Sequence, residues 1–182
     1  MDLPERKPTR LKNYDYSSPG AYFVTICTHN RRCVFSNIIV GAIHESPVSE
    51  MTEYGKIADA VIKKLNSRFN VRISKYVIMP NHIHMIIEIT SPENLRAIRE
   101  SPLQSRSLIS KIIGYMKMNI SKEIHKFNPD EKLWQRSFHD HIIRGDNDYD
   151  KIWEYIDTNV LRWEKDCFYI SEKGQILNEQ KK

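Results

Sequence analysis

In Met79-Pro80-Asn81-His82-Ile83-His84-Met85-Ile86-Ile87-Glu88-Ile89, apolar and polar side chains alternate from His82 onward. That period of two is a strand's. It sends Ile83, Met85, Ile87 and Ile89 to one face and His82, His84, Ile86 and Glu88 to the other. The first face is wholly apolar and needs a core to lie on. The second carries two imidazoles roughly 7 Å apart at the backbone, close enough to hold one divalent ion. Two readings stand at this point: a metal-binding pair, or two histidines on a solvated sheet face. Glu88 shares that face, as a further candidate ligand or hydrogen-bonding partner of one. Pro80-Asn81 reads as the turn of a hairpin with the preceding strand, Val71 to Met79, because proline suits the second position of a turn and asparagine the third.

Working outward, 182 residues suffice for one domain with a core that needs no covalent staples. A polar, proline-punctuated arm over about 1–19 and a loose tail over about 170–182 are expected at its ends. No apolar run is long enough to span a bilayer, and the start lacks a signal-peptide core, which excludes a membrane partner and suggests a cytoplasmic location. Three cysteines (Cys27, Cys33 and Cys167) without a CxxC pair read as reduced thiols rather than a zinc site. The net charge of +5 leans toward a polyanionic partner. Basic residues cluster at Arg6, Lys7, Arg10 and Lys12, at Arg31-Arg32, and at Arg96, Arg99 and Arg106. In the first of these clusters Tyr14 and Tyr16 follow closely, as a surface that tracks a backbone and stacks on bases requires. On charge alone, these nine residues are the candidate contacts to such a polyanion.

The remaining elements follow from periodicity and punctuation. A strand is expected over Ala21 to Thr28, opened by Gly20. A helix over Met51 to Arg68 presents Tyr54, Ile57, Ala58, Val61, Ile62 and Leu65, and a second runs from Ser107 to before Asn128-Pro129. Leu133 to Arg144 reads as a strand, and a last helix spans about Asn147 to Lys165, with Asp146 or Asn147 as its cap. Residues 40–50 and 90–104 read as loops, and they share the short near-repeat Ala-Ile-x-Glu-Ser-Pro. The order strand-helix-strand-strand-helix-strand matches the α+β ferredoxin-like fold, an antiparallel sheet with helices on one face, with one helix added.

On that last helix the apolar stripe is Tyr149, Ile152, Trp153, Ile156, Val160 and Trp163. Tyr155 flanks it, and Asn159, four residues on, lies on the same side. A tyrosine at a core edge is the ordinary reading of such a position.

Four blocks, Gly20-Ala21-Tyr22-Phe23-Val24-Thr25, Met79-Pro80-Asn81-His82-Ile83-His84, Leu133 to Arg144 and Glu154-Tyr155-Ile156-Asp157-Thr158-Asn159, together resemble the REP-associated tyrosine transposases. These belong to the single-tyrosine HUH transposase superfamily; REP denotes repetitive extragenic palindromes. The resemblance covers about residues 10–168. It implies that His82 and His84 bind Mg²⁺ or Mn²⁺, that Asn159 is a third ligand, and that Tyr155 is the nucleophile. It further implies cleavage and rejoining of single-stranded DNA at hairpins through a 5′-phosphotyrosine. Where relatives commonly carry proline after this asparagine, the chain has Val160, so the helix is expected to continue past Asn159.

The residue types suit that chemistry. A divalent ion accepts the charge on a scissile phosphate, and two imidazoles and an amide leave it open positions. A catalytically retired hairpin-binding module is the alternative. A metal hydrolase using His82, His84 and Glu88 is a third reading. His139-Asp140-His141 is a rival His-x-His, read as lining a DNA groove or solvent. Whether a monomer or a homodimer acts is left open by the sequence.

Overall fold

The computed structural model describes residues 14–16, 18–39, 47–90 and 107–170. Its strands are β1 (Gly20–Cys27), β2 (Ser36–Ile39), β3 (Val48–Met51), β4 (Arg72–Ile78), β5 (His82–Ile89) and β6 (His139–Ile143). Its α-helices are α1 (Glu53–Lys63), α2 (Leu65–Phe69), α3 (Leu108–Ile124) and α4 (Asp146–Thr158), and 3-10 turns cover His29–Arg31 and Val160–Lys165.

Four strands form one antiparallel sheet in the order β4-β5-β1-β6, the ferredoxin-like arrangement. Alternation along β5 holds as read: Ile83, Met85, Ile87 and Ile89 enter the main core. They are joined there by Tyr22, Val24 and Ile26 of β1, by Ala58 and Ile62 of α1, and by Ile109, Ile112, Ile113, Met116 and Ile120 of α3. Ser107 caps α3 by accepting from Ser110 N at 3.3 Å. Both helices lie on this face. The other face of β5 is not solvated, since α4 and the turn after it cover it and leave His82 and His84 0 % and 1 % exposed.

Several elements differ from expectation, each for a local reason. Met51 belongs to β3 rather than to the first helix, which Thr52 caps by accepting from Gly55 N at 3.2 Å. β2 and β3 form a separate two-stranded ribbon, with the start of β3 inside the loop expected over 40–50. Phe35, which leads into the ribbon, lies so close to α1 that a Cβ at Gly55 would collide with its carbonyl oxygen. From Leu133 to Phe138 the chain makes only a single bridge to Thr28 through Trp134. Lys117 Nζ donates to the Gln135 and Ser137 carbonyls at 2.7 and 2.9 Å, so those groups do not join a ladder. Phe127, just beyond the end of α3, is 55 % exposed.

Helix α4 begins after Gly145, at φ 80°, with no side-chain cap from Asp146 or Asn147. Asp148 instead accepts from Arg144 N at 2.9 Å. The helix stops at Thr158 despite Val160. Thr158 Oγ1 donates back to the Glu154 carbonyl at 2.8 Å, a bond that bends helices, and the next residues tighten into 3-10 geometry. Ile156 and Trp163 are buried, whereas Trp153 is 36 % exposed and lies against Tyr149 and Lys75.

Near the amino end, Tyr16 is buried in the core, and the hydroxyls of Tyr14 and Tyr22 lie 3.3 Å apart. These rings pack on the sheet instead of forming a base-stacking surface. Arg6, Lys7, Arg10, Lys12, Arg96, Arg99 and Arg106, the tail from 171 onward and most of the near-repeat lie outside the described residues. Among the described residues no helix is long and apolar enough to cross a membrane.

A candidate metal and tyrosine site

The hairpin turn organises the first imidazole. Asn81, fully buried, donates through Nδ2 to the carbonyls of Arg31 (3.1 Å) and Phe168 (2.8 Å). Those two bonds fix which end of the amide is nitrogen, so Oδ1 faces His82 Nδ1 at 2.9 Å as acceptor. The His82 proton therefore sits on Nδ1, and the lone pair on Nε2 is buried with no hydrogen-bond partner. The β1–β5 register supplies the second imidazole's support. Thr25 lies opposite His84, and its Oγ1 is 2.8 Å from His84 Nδ1. Phe23, also on β1, stacks on the His84 ring at 5.1 Å.

Helix α4 and the turn after it bring in the rest. The Tyr155 hydroxyl lies 3.2 Å from His84 Nε2 and donates to Asp166 Oδ2 at 3.1 Å. Asn159, 2 % exposed, donates through Nδ2 to the same carboxylate oxygen at 3.2 Å. Its Oδ1 is buried without a partner. His82, His84 and Asp166 form the His/Cys/Asp/Glu group, among the described residues, whose ligand atoms all lie within 4.8 Å of one another. Two atoms each about 2.1 Å from one ion are at most about 4.2 Å apart, so a small inward movement of side chains would close the set.

Two orphaned acceptors, on His82 and Asn159, point to the same conclusion as the cluster: buried lone pairs are costly unless something binds them. The donors, two imidazole nitrogens with amide and carboxylate oxygens, suit a divalent ion such as Mn²⁺ or Mg²⁺. Burial, aided by the Arg31 charge, lowers His82 to about 3. Burial and then His82 hold His84 well below its ordinary value, against the opposing pull of Asp166. Both rings are thus neutral near pH 7, the form that ligates. Burial, reinforced by the Asp166 charge, pushes Tyr155 up to about 12. The phenol is protonated at neutral pH.

Aromatic rings enclose the cluster. Phe168 lies 4.7 Å from the His82 ring, and Trp163 lies 6.0 Å from it. Arg31, at φ 54° in the turn after β1, places its guanidinium 5.1 Å over Phe168. Arg32 turns the other way, to Glu131 and the Lys132 carbonyl. Glu88 bonds Ser74 and Tyr149 and is not in the cluster. His141 pairs with Asp148, and neither it nor His139 belongs to a metal-ligating group among the described residues.

Sequence reasoning missed Asp166. A helix continued to Lys165 would have set it about 10 Å along the axis from Asn159, at 1.5 Å per residue. The 3-10 turn folds it back instead. Asn81 and Thr25 were quoted for their place in the motifs, and their hydrogen bonds to the histidines became visible only with the strand register.

A model of the IS200-like transposase family matches residues 18–159. An uncharacterized protein of Haemophilus influenzae is 34% identical over 177 residues, covering 92% of this chain and 95% of that protein. A second protein of that organism, provisionally assigned to the REP-associated tyrosine transposases, is 23% identical over 186 residues, covering 93% and 92%. The solved structure of a REP-associated tyrosine transposase bound to a REP hairpin aligns with a TM-score of 0.56 at 19% identity. That alignment covers 87% of this chain and 72% of the other, and it shows a shared fold. The family match runs from the residues before β1 through the paired histidines to Asn159 at the end of α4, and on that span the chain belongs to the IS200-like transposases.

Proposed function

We propose that this chain cleaves and rejoins single-stranded DNA at hairpin-forming sequences through a covalent 5′-phosphotyrosine on Tyr155. The observation that carries the reading is the position of the Tyr155 hydroxyl, 3.2 Å from His84 Nε2 and beside two buried lone-pair atoms, His82 Nε2 and Asn159 Oδ1, that have no partner. Family membership supports the transposase chemistry, and the REP hairpin held by the structural neighbour supports hairpin DNA as the substrate class.

His82, His84, Asn159 and Asp166 are the residues that would hold the ion. When bound, it supplies Lewis-acid stabilisation of charge on the scissile phosphate. Tyr155 Oη attacks phosphorus, the bond to the 3′ oxygen breaks, and a free 3′-OH remains for rejoining, so no nucleotide cofactor is consumed. Asp166 Oδ2 is the acceptor the phenol already addresses, which a group raised to about 12 requires in order to lose its proton. Tyrosine and imidazoles come from one chain, which favours action in cis. Arg31, exposed at the rim, is a described basic residue placed to meet phosphate; Arg32 is neutralised by Glu131.

Labelled hairpin DNA incubated with protein and Mn²⁺ is expected to give an SDS-stable complex, which Tyr155→Phe abolishes while retaining affinity. Undiminished adduct from Tyr155→Phe would remove the assignment. Binding by the wild type without any adduct would leave a hairpin-binding module.

A further inference from the structure

Beside the histidine cluster lies a cavity of about 600 Å³ that the proposed chemistry does not use. It opens between the β2–β3 ribbon and the 3-10 turn Val160–Lys165, and its walls include Asn37, Pro80, Arg162, Trp163, Lys165 and Tyr169. Its volume falls in the roughly 300–1,000 Å³ range of pockets that enclose small organic ligands.

Two features join it to the cluster. Trp163 is a common wall: its ring lies 6.0 Å from His82 on one side and 5.3 Å from Tyr169 on the other. The Pro80-Asn81 turn is likewise divided, with Pro80 lining the cavity and Asn81 bonded to His82. A strand whose phosphate sits at the imidazoles therefore has this opening next to it.

The lining has the chemistry of a base pocket. Tyr169 is 38 % exposed and packs against Trp163 in a T-shaped pair, and Asn37 supplies an amide that can both donate and accept. Arg162 and Lys165 are exposed on the same turn and outnumber the exposed Glu164 between them, where a backbone entering the cavity would carry its charge. Aromatic faces with flanking cations are how unpaired bases are held.

We infer that this cavity receives an unstacked nucleobase flanking the scissile phosphate, with Tyr169 as its stacking platform. The inference rests on the reading that single-stranded DNA crosses the histidine cluster. It adds a base-binding site outside that cluster.

Fluorescence anisotropy on the full chain tests it, with Tyr155→Phe as background so that no cleavage intervenes. The probes are a fluorescein-labelled DNA hairpin with mixed-sequence single-stranded flanks and the same hairpin with abasic flanks. The abasic probe is expected to bind about five- to a hundredfold more weakly. Adding Tyr169→Ala should cost a comparable factor on the intact probe and little more on the abasic one. Tyr169→Phe, which keeps the ring, should bind as the parent does. Unchanged affinity in Tyr169→Ala overturns the proposal and assigns the cavity to another ligand. Losses from Tyr169→Ala and from abasic flanks that multiply overturn it as well. Ring-dependent discrimination in a chain whose wild type forms no adduct supports the cavity while the cleavage reading fails. Adduct formation without such discrimination does the reverse.

Discussion

Asn81 does more than turn the chain. By giving both amide protons to backbone carbonyls it leaves only an acceptor for His82, and so selects the ring tautomer whose free nitrogen faces the cluster. Support of this kind for a metal-ligating histidine is typically worth about 10–100-fold in affinity. Asn81→Ala is accordingly expected to weaken Mn²⁺ binding by about that factor in an electron-paramagnetic-resonance titration; unchanged affinity would show that the amide does not set the tautomer. Burial has a second consequence. Because His82 is lowered to about 3 in the folded chain and takes its ordinary value of about 6.5 when unfolded, the unfolded state binds more protons between those limits. Stability is therefore retained above about pH 6.5 and falls as pH drops through that window. Relative to a His82→Gln chain, and with divalent ions chelated, the wild type should lose about 2 kcal/mol between pH 8 and pH 5 in urea unfolding. Parallel pH profiles for the two chains would contradict the assignment of a buried neutral imidazole.

At the scale of elements, β5 was readable because alternation reports faces directly, and the histidine pair came with it. The family blocks carried Tyr155 and Asn159, which helical spacing alone left as an ordinary core edge. What stayed hidden depended on contacts across the chain. The β2–β3 ribbon has four-residue strands, too short for a pattern, and its place is set by how closely it meets Gly55. Leu133 to Phe138 has the composition of a strand, but a lysine on α3 takes its carbonyls. Asp166 depends on the helix ending where a side-chain hydroxyl, rather than a proline, ends it. The ribbon's packing gives a prediction: Gly55→Ala forces a methyl against the Phe35 carbonyl and should destabilise the chain by about 1–3 kcal/mol in urea unfolding. A neutral or stabilising result would mean that the ribbon yields freely.

Across the whole molecule, one sheet serves two purposes: a hydrocarbon core on one face, and on the other a small polar cluster sealed by α4 and the aromatic rings after it. The chain carries a net charge of +5, and beside that second face Arg31 is exposed with its guanidinium over Phe168. If Arg31 meets a phosphate, Arg31→Ala should reduce the slope of log affinity against log salt by about 0.7, the value for one contact on a single strand; an unchanged slope would remove it from the interface. The central claim, that the hydroxyl beside the paired imidazoles becomes covalently joined to DNA, is tested most directly by mass spectrometry of the protein after reaction with hairpin DNA, Mn²⁺ and nuclease trimming. The account predicts a nucleotide-phosphate adduct on the peptide containing Tyr155. An adduct on any other tyrosine, formed while Tyr155 remains unmodified, would contradict it.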